Sequence, residues 1–337
     1  MLPLGYCILP EIAAALQMLT FCYNICMRTY TYTLVIPVMN EEESLPELFS
    51  QISTALKGEK FEVIFIDDGS TDKSIEIMKD LSRKYSHVRL IALRRNLGKS
   101  PALTLGFQKA QGGIVVMMDA DLQDDPQEIK KLRKKIDEGY DLVSGWRANR
   151  RDSAFKVITS QFFNGLMSAL FNMQVHDLNC GLKAMKIEVA KELFLYGGMH
   201  RFIPIIAKEL GFKTSEAAIK HHPRKFGKSK YKPTKILTDI PDLMTIYFLT
   251  KYTKRPLHFF MKIGFPIASI GFIVLFYLTI LKIFGESIGD RPLLIFGVLL
   301  VITGFQILLT GLIADLIVNF NRKEISDYPI QYDSLKK

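Results

Sequence analysis

A doubly wound α/β fold with a mainly parallel sheet, followed by two helices able to cross a membrane, is what the amino-acid sequence predicts on three observations. Short apolar runs alternate with amphipathic helical segments from Thr33 to Trp146. Acidic residues gather just after three of those runs, and the apolar content near the C-terminus collects into two long uncharged stretches. At 337 residues the chain has room for one large domain with further elements, or for two ordinary domains.

The strands come first. TLVIPV (33–38), FEVIFID (61–67), VRLIAL (88–93), GIVVMMDAD (113–121) and YDLVSGW (140–146) are short and apolar, as buried strands are. Between them EEESLPELFSQISTAL, DKSIEIMKDLSRKY, KSPALTLGFQKA and PQEIKKLRKKIDE space their apolar residues as helices do, the last opening on Pro126, which suits a first helical turn. Such alternation implies parallel strands joined by right-handed crossovers, with ligands bound beyond the carboxyl ends of the strands. Three of those ends are polar: Pro37 to Glu43, Asp67-Asp68-Gly69-Ser70, and Asp119-Ala120-Asp121. One site built from three loops is expected.

Ile263 to Leu281 and Pro292 to Ala314 contain no charge. At 1.5 Å per residue each is long enough, as a helix, for a hydrocarbon core of roughly 30 Å. The connection GESIGDR is too short to hold a domain, so the two spans form an antiparallel hairpin with both outer ends in one compartment. Those ends carry KYTKRPLHFFMK and NRKE, whereas the connection holds one Arg against Glu286 and Asp290. Basic flanks stay cytosolic, which puts the soluble region and the C-terminal tail on the cytosolic side of an integral membrane protein. Two amphipathic stretches, one from Phe155 and one from Thr234 to Tyr252, suit the membrane interface or, for the first, burial against the soluble domain. Leu2 to Met27 is apolar with Glu11 its only charge, and reads as an interfacial helix, as an extension from a start upstream of Met27, or as a third span.

The net charge of +10 fits nucleic acid, anionic lipid or phosphorylated substrates. The tract from His221 to Lys235 holds six Lys and Arg and no acid, and its position upstream of the apolar spans favours phosphates and lipid headgroups over nucleic acid. Cys7, Cys22, Cys26 and Cys180 form no CxxC pair, consistent with a reducing compartment.

Asp119, Asp121 and Gln123 in DADLQDD follow an apolar strand directly, and oxygen ligands at this spacing can hold a hard divalent ion, Mg²⁺ or Mn²⁺, with positions left for a diphosphate. Asp67 and Asp68 sit on a strand-to-helix turn, suited either to ribose and base contacts, Asp68 more readily, or to helix capping. His200 and the pair His221-His222 lack the acid or Cys neighbours of a metal site and suit phosphate contact or local hydrogen bonding; Arg201 is the stronger functional candidate.

In their order, IPVMNEEESL, IDDGSTDKS, NLGKSPAL, DADLQDDP, SGWR, NCGLKAMK and GKSKY resemble glycosyltransferase family 2 with the GT-A fold. Within it they resemble the polyprenyl-phosphate sugar transferases, including dolichol-phosphate mannose and glucose synthases and bacterial undecaprenyl-phosphate glucosyltransferases. The similarity runs from about Thr31 to Tyr231, and the paired C-terminal spans resemble the membrane-anchored members. The resemblance implies inverting transfer from a nucleotide-diphosphate sugar, UDP-glucose or GDP-mannose, to a polyprenyl phosphate, dolichyl or undecaprenyl. It assigns Asp119, Asp121 and Gln123 to the metal and Pro37, Asn40, Glu41, Asp67, Asp68 and Lys99 to the donor, where Arg201 is also expected. Arg147, Lys156, Ser160, Arg224, Ser229 and Lys230 match positions that cradle phosphate, chiefly that of the lipid, and Asp121 and Arg147 are the expected catalytic residues. The implied layout is an extension (1–30), a catalytic domain (31–232), an interfacial region (233–260), the hairpin (261–320) and a cytosolic tail (321–337). A homo-oligomer is compatible with it.

Two positions depart from the family pattern: Lys156 stands where many relatives have Arg, losing bidentate geometry, and Gly181 stands where some place an acid. A phosphate monoester has a second pKa of about 6, so the acceptor oxygen is already largely anionic at neutral pH and needs no base. Other readings are a family member acting on a polysaccharide or lipid-linked glycan, and a catalytically silent scaffold that binds nucleotide-sugar. A processive synthase is disfavoured by the lack of a QxxRW motif and by having only two clear spans.

Overall fold

The computed structural model describes residues 30–147, 165, 167–168, 170–171, 173, 176–226, 244–248, 250–252, 255–289 and 292–320. The N-terminal extension, Lys156, Ser160, Ser229, Lys230, the tail and most of both amphipathic stretches lie outside them. The chain divides into two compact units, Met1–Asp242 and Leu243–Lys337.

In the first unit all five expected strands and four expected helices occur in the expected order: β1 (Tyr32–Val38), α1 (Leu45–Ala55), β2 (Phe61–Asp67), α2 (Ser74–Lys84), β3 (Val88–Ala92), α3 (Lys99–Lys109), β4 (Ile114–Met117), α4 (Ile129–Asp137) and β5 (Leu142–Trp146). After them come β6 (Lys183–Lys186), α5 (Ile187–Glu192), α6 (Ile203–Glu209) and β7 (Thr214–Ala218). Neither late strand carries an apolar run in its sequence. KAMK is four residues with a lysine at each end, and TSEAA is small and polar. Tertiary pairing makes them strands.

The sheet order is β3-β2-β1-β4-β6-β5-β7. All neighbours are parallel except β6, which runs antiparallel to β4 and β5. The order reverses between β1 and β4, which opens a crevice beyond their carboxyl ends. β1 lies in the middle of the core, with Leu34, Val35 and Ile36 fully buried, each such side chain contributing about 1.5–3 kcal/mol. Pro37 sits beyond Val35, the last β1 residue paired with β4, so its missing N–H falls where that ladder has ended.

The second unit contains α7 (Pro256–Ile283) and α8 (Pro292–Phe320), both long and apolar enough to cross a membrane. Small residues bring their backbones together. A Cβ on Gly304 would lie 2.6 Å from the Ala268 nitrogen, and one on Gly271 would lie 2.9 Å from the Gly297 carbonyl oxygen. Phe265, Ile273, Phe276, Ile295 and Phe305 point outward and are exposed. Close packing through glycine with large apolar residues on the outer faces is how helices associate in lipid.

Candidate functional site

The loops after β1, β2 and β3 are stitched into one rim by side chains that bond backbone. Asn40, in the left-handed region at φ 53°, accepts from the Thr71 amide at 2.7 Å through Oδ1, while its own amide donates to Ser70 Oγ at 3.0 Å. The Glu41 amide donates to Ser74 Oγ at 2.9 Å. Asp67, buried, accepts from the Ser70 amide at 3.2 Å. Asp68, also buried, accepts from the Leu97 amide at 2.7 Å and the Gly98 amide at 3.0 Å. Gly69 has φ +78°, and a Cβ there would lie 2.8 Å from the Asn96 nitrogen, so the backbone of the β2 tip can approach the loop before α3 this closely only with glycine there. Asp67 and Asp68 thus hold the rim, the first by closing the turn after β2 and the second by pinning the loop before α3.

Beyond β4 the chain turns sharply at Leu122, whose φ of 61° is unusual for a buried, non-glycine residue and costs roughly 1–2 kcal/mol. The turn is held by the Gln123 amide, which donates to Asp121 Oδ1 at 3.2 Å. Each acid of the pair then meets a cation. The Lys99 ammonium, on the first turn of α3, donates to Asp119 Oδ1. Arg224 Nη2 donates to Asp121 Oδ2 at 2.7 Å, and its Nη1 lies 3.6 Å from Glu41 Oε1. The segment bearing Arg224 is laid across this loop by an antiparallel bridge between Asp124 and His221 and by the His222 amide donating to the Gln123 carbonyl at 2.8 Å. Grouped with the acceptor side by sequence, Arg224 lies here against the acids of the β4 tip.

Burial alone would raise the Asp119 carboxyl, but the charge and hydrogen bond of Lys99, together with smaller contributions from neighbouring basic groups, outweigh it and hold the group below the usual carboxylate range. Asp121 is raised, by burial and then by the Asp119 charge, against the pull of Arg224. Asp124 lies buried beside both, and burial followed by the charges of Asp119 and Asp121 pushes it up to about 7. Between about pH 4 and pH 7 the folded protein therefore holds a proton on Asp124 that the unfolded chain has released. Its contribution to stability is full below that window and is lost as the pH rises through it. The thermal midpoint of metal-free protein should accordingly fall further between about pH 5 and pH 8 in the wild type than in Asp124→Asn, and equal slopes would refute the assignment.

Gly181 lies against this cluster: a Cβ there would be 2.6 Å from Asp124 Oδ2 and 2.7 Å from Asp119 Oδ2. An acid at 181 would need the room those two carboxylates take up and would add one more like charge. Among the described residues no three His, Cys, Asp or Glu side chains converge as a closed metal cage. The Asp119 and Asp121 carboxylates, with cations now neutralising them where a metal could, have the oxygen chemistry of an open site for a hard divalent ion.

Arg147 leaves β5 into a bidentate pair with buried Asp177, Nε donating to Oδ2 at 2.6 Å and Nη2 to Oδ1 at 3.0 Å. Burial opposes the Arg147 charge, but the hydrogen bonds and charge of Asp177, with further acidic charge nearby, together prevail and raise its pKa further. Arg201 is buried in the short turn Met199–Arg201. Its neighbour His200 bonds Ser100 Oγ through Nδ1 at 3.0 Å, and burial together with the Lys99 and Arg201 charges lowers its pKa to about 2. His200 is therefore neutral and used in local hydrogen bonding. Lys183, fully buried in β6, donates to the carbonyls of Leu178 and Cys180, and burial lowers its pKa. Sequence reasoning missed this internal lysine and the partnership of Asp177 with Arg147. A lysine inside KAMK gives no sign of facing inward.

Paired acids faced by paired bases stand at the switch point of a doubly wound sheet, where ligands of open α/β sheets bind. A sequence model of glycosyl transferase family 2 matches residues 33–194. Dodecaprenyl-phosphate galacturonate synthase from Rhizobium johnstonii is 35% identical, over 85% of this chain and 87% of the relative. Undecaprenyl-phosphate 4-deoxy-4-formamido-L-arabinose transferase from Pseudomonas fluorescens is 35% identical, over 84% of each. Crystalline glucosyl-3-phosphoglycerate synthase from Mycobacterium tuberculosis, in complex with Mn²⁺, UDP and phosphoglyceric acid, has the same fold at a TM-score of 0.50 and 20% identity, over 67% of this chain and 80% of that one. This chain belongs to glycosyl transferase family 2 and has its GT-A fold.

Proposed function

We propose that this enzyme transfers a sugar, with inversion, from a nucleotide-diphosphate donor to a polyprenyl phosphate, dolichyl or undecaprenyl, at the cytosolic surface of a membrane. The observation that carries the reading is the pair Asp119 and Asp121 at the β1/β4 switch point, each faced by a cation. It is supported by relatives whose names join a sugar to a prenyl phosphate, and by two helices long and apolar enough to anchor the chain.

Asp119, Asp121 and Gln123 would hold Mg²⁺ or Mn²⁺, which when bound supplies positive charge to the donor diphosphate and its departure. Pro37, Asn40, Glu41, Asp67 and Asp68 form the nucleotide pocket, Asp68 by fixing the Leu97-Gly98 backbone over it. Lys99 and Arg201 add cations on the donor side. On the acceptor side, Arg147 keeps Nη1 without a protein partner among the described residues while Asp177 occupies Nε and Nη2. Such an oriented guanidinium suits a phosphate oxygen. Lys156, Ser160, Arg224, Ser229 and Lys230 complete the phosphate cradle by their match to the family pattern. The incoming phosphate brings its own anionic oxygen, so the room at Gly181 left without a base is no obstacle. The protein's task is to hold two anionic substrates in line and offset their repulsion.

The test offers the membrane-embedded protein radiolabelled UDP-glucose, GDP-mannose, UDP-galacturonate and a UDP-4-formamido-arabinose donor with undecaprenyl or dolichyl phosphate. A labelled prenyl-phosphate sugar is expected, dependent on divalent metal. Release of nucleotide without lipid product would move the acceptor elsewhere, and no release at all would favour a silent scaffold. Orientation has a separate check. A cysteine replacing Ser287, in the short connection between α7 and α8, should react with an impermeant reagent only from the face opposite the catalytic domain, and labelling from the cytosolic side alone would refute the topology.

A further inference from the structure

The Arg147 guanidinium is gripped through two N–H groups by a buried carboxylate, that of Asp177, and the loop bearing that carboxylate is itself tethered. Among the described residues, the tether is Glu216 on β7, at the register position beside Ser144 of β5. Its carboxylate accepts from the His176 amide at 3.1 Å, from the Asp177 amide at 3.4 Å and from His176 Nδ1 at 2.6 Å. The His176 ring in turn stacks on Trp146, with centroids 4.3 Å apart and planes 26° from parallel. Trp146 and Arg147 are consecutive, so the stack also ties this loop to the strand end that carries the guanidinium.

We propose that Glu216 is a positioning residue for Arg147, acting through the backbone of His176 and Asp177, and that this clamp sets the aim of Arg147 at the acceptor phosphate. The inference rests on the function proposed above. Its physical basis is the narrow geometry of the fork. Two parallel N–H···O bonds need the carboxylate coplanar with the guanidinium, so a shift of the Asp177 backbone breaks one bond and turns the remaining N–H groups away. Glu216 fixes that backbone by taking both amides at once. Nothing on β7 touches Arg147 directly in the hydrogen bonds of the site, so Glu216 has no route to the phosphate except through the loop.

Trp146 is the sole tryptophan, and its emission reports on the loop without any substrate. In detergent-solubilised full-length protein, Glu216→Ala should increase acrylamide quenching of that emission, whereas Glu216→Gln, which still offers an oxygen to the two amides, should stay near wild type. Undecaprenyl phosphate is then titrated against Trp146 emission in wild type, Glu216→Ala, Arg147→Ala and the double variant. Glu216→Ala should weaken binding about tenfold, as should Arg147→Ala, and the double variant should bind no worse than Arg147→Ala. Losses that multiply in the double variant, or wild-type binding by Glu216→Ala, would overturn the proposal. Absence of any response to undecaprenyl phosphate in the wild type would count against the acceptor reading, while unchanged quenching in Glu216→Ala would count against the clamp itself.

Discussion

Asp121→Ala should abolish glycosyl transfer while leaving the protein folded. The residue stands past the end of β4, outside the core, and its protein partners are the Gln123 amide and the Arg224 guanidinium. Removing it takes away one of the two carboxylates that, on the proposed function, would hold a divalent ion at the donor diphosphate. It also leaves Arg224 with only Glu41 opposite, at 3.6 Å. Loss of metal-borne stabilisation of a leaving diphosphate is worth several kcal/mol, so turnover should fall by about a thousandfold or more. Chelator should do the same to the wild type. Mn²⁺ binding followed by calorimetry separates the causes, since the variant should lose binding in parallel with turnover. Near-normal turnover by purified, folded Asp121→Ala would remove Asp121 from the site.

Arg224→Ala should change two affinities in opposite directions. In the structure the arginine neutralises Asp121, and it belongs to the basic segment that the family pattern connects with the lipid phosphate. Its removal should tighten divalent-metal binding, because the ion no longer competes with a guanidinium for the same oxygen. At the same time the KM for polyprenyl phosphate should rise by about tenfold to a hundredfold, the worth of a charge-assisted phosphate contact at about 1.5–3 kcal/mol. Asp68→Ala supplies the contrast. By freeing the Leu97 and Gly98 amides it should loosen the nucleotide side and weaken donor binding with little effect on the acceptor. If Arg224→Ala weakened only donor binding, Arg224 would be a donor-site residue, as its position on Asp121 and Glu41 alone suggests.

Much of the site was legible because it follows from local pattern. An apolar strand ending in DADLQ puts two carboxylates at a strand tip whatever the rest of the chain does, and strict alternation of strands and helices brings that tip beside the loops after β1 and β2. The uses of Asp67 and Asp68 were left open between nucleoside contact and capping for a physical reason. A carboxylate after a strand accepts equally from a ligand or from a neighbouring amide, and the amides that Asp68 accepts from arrive only with the return of the 95–98 loop. The same holds for Arg147, whose charge is visible in SGWR but whose partner is thirty positions away.

By itself the sequence determined the first five strands and four helices, the carboxylate pair at the β4 tip, and two apolar segments of membrane-crossing length. Each of these depends on side-chain periodicity or on residues adjacent along the chain. Only the tertiary structure decided that KAMK and TSEAA are strands, that Lys183 is buried, that Gly181 gives room to Asp119 and Asp124, that Arg224 lies on Asp121, and that Glu216 holds the loop beneath Arg147. The side-chain pairs among them, Glu216 with His176 and Arg224 with Asp121, join residues 40 and 103 positions apart, and their energies come from burial and charge pairing that exist only once the sheet has closed β5, β6 and β7 against β4.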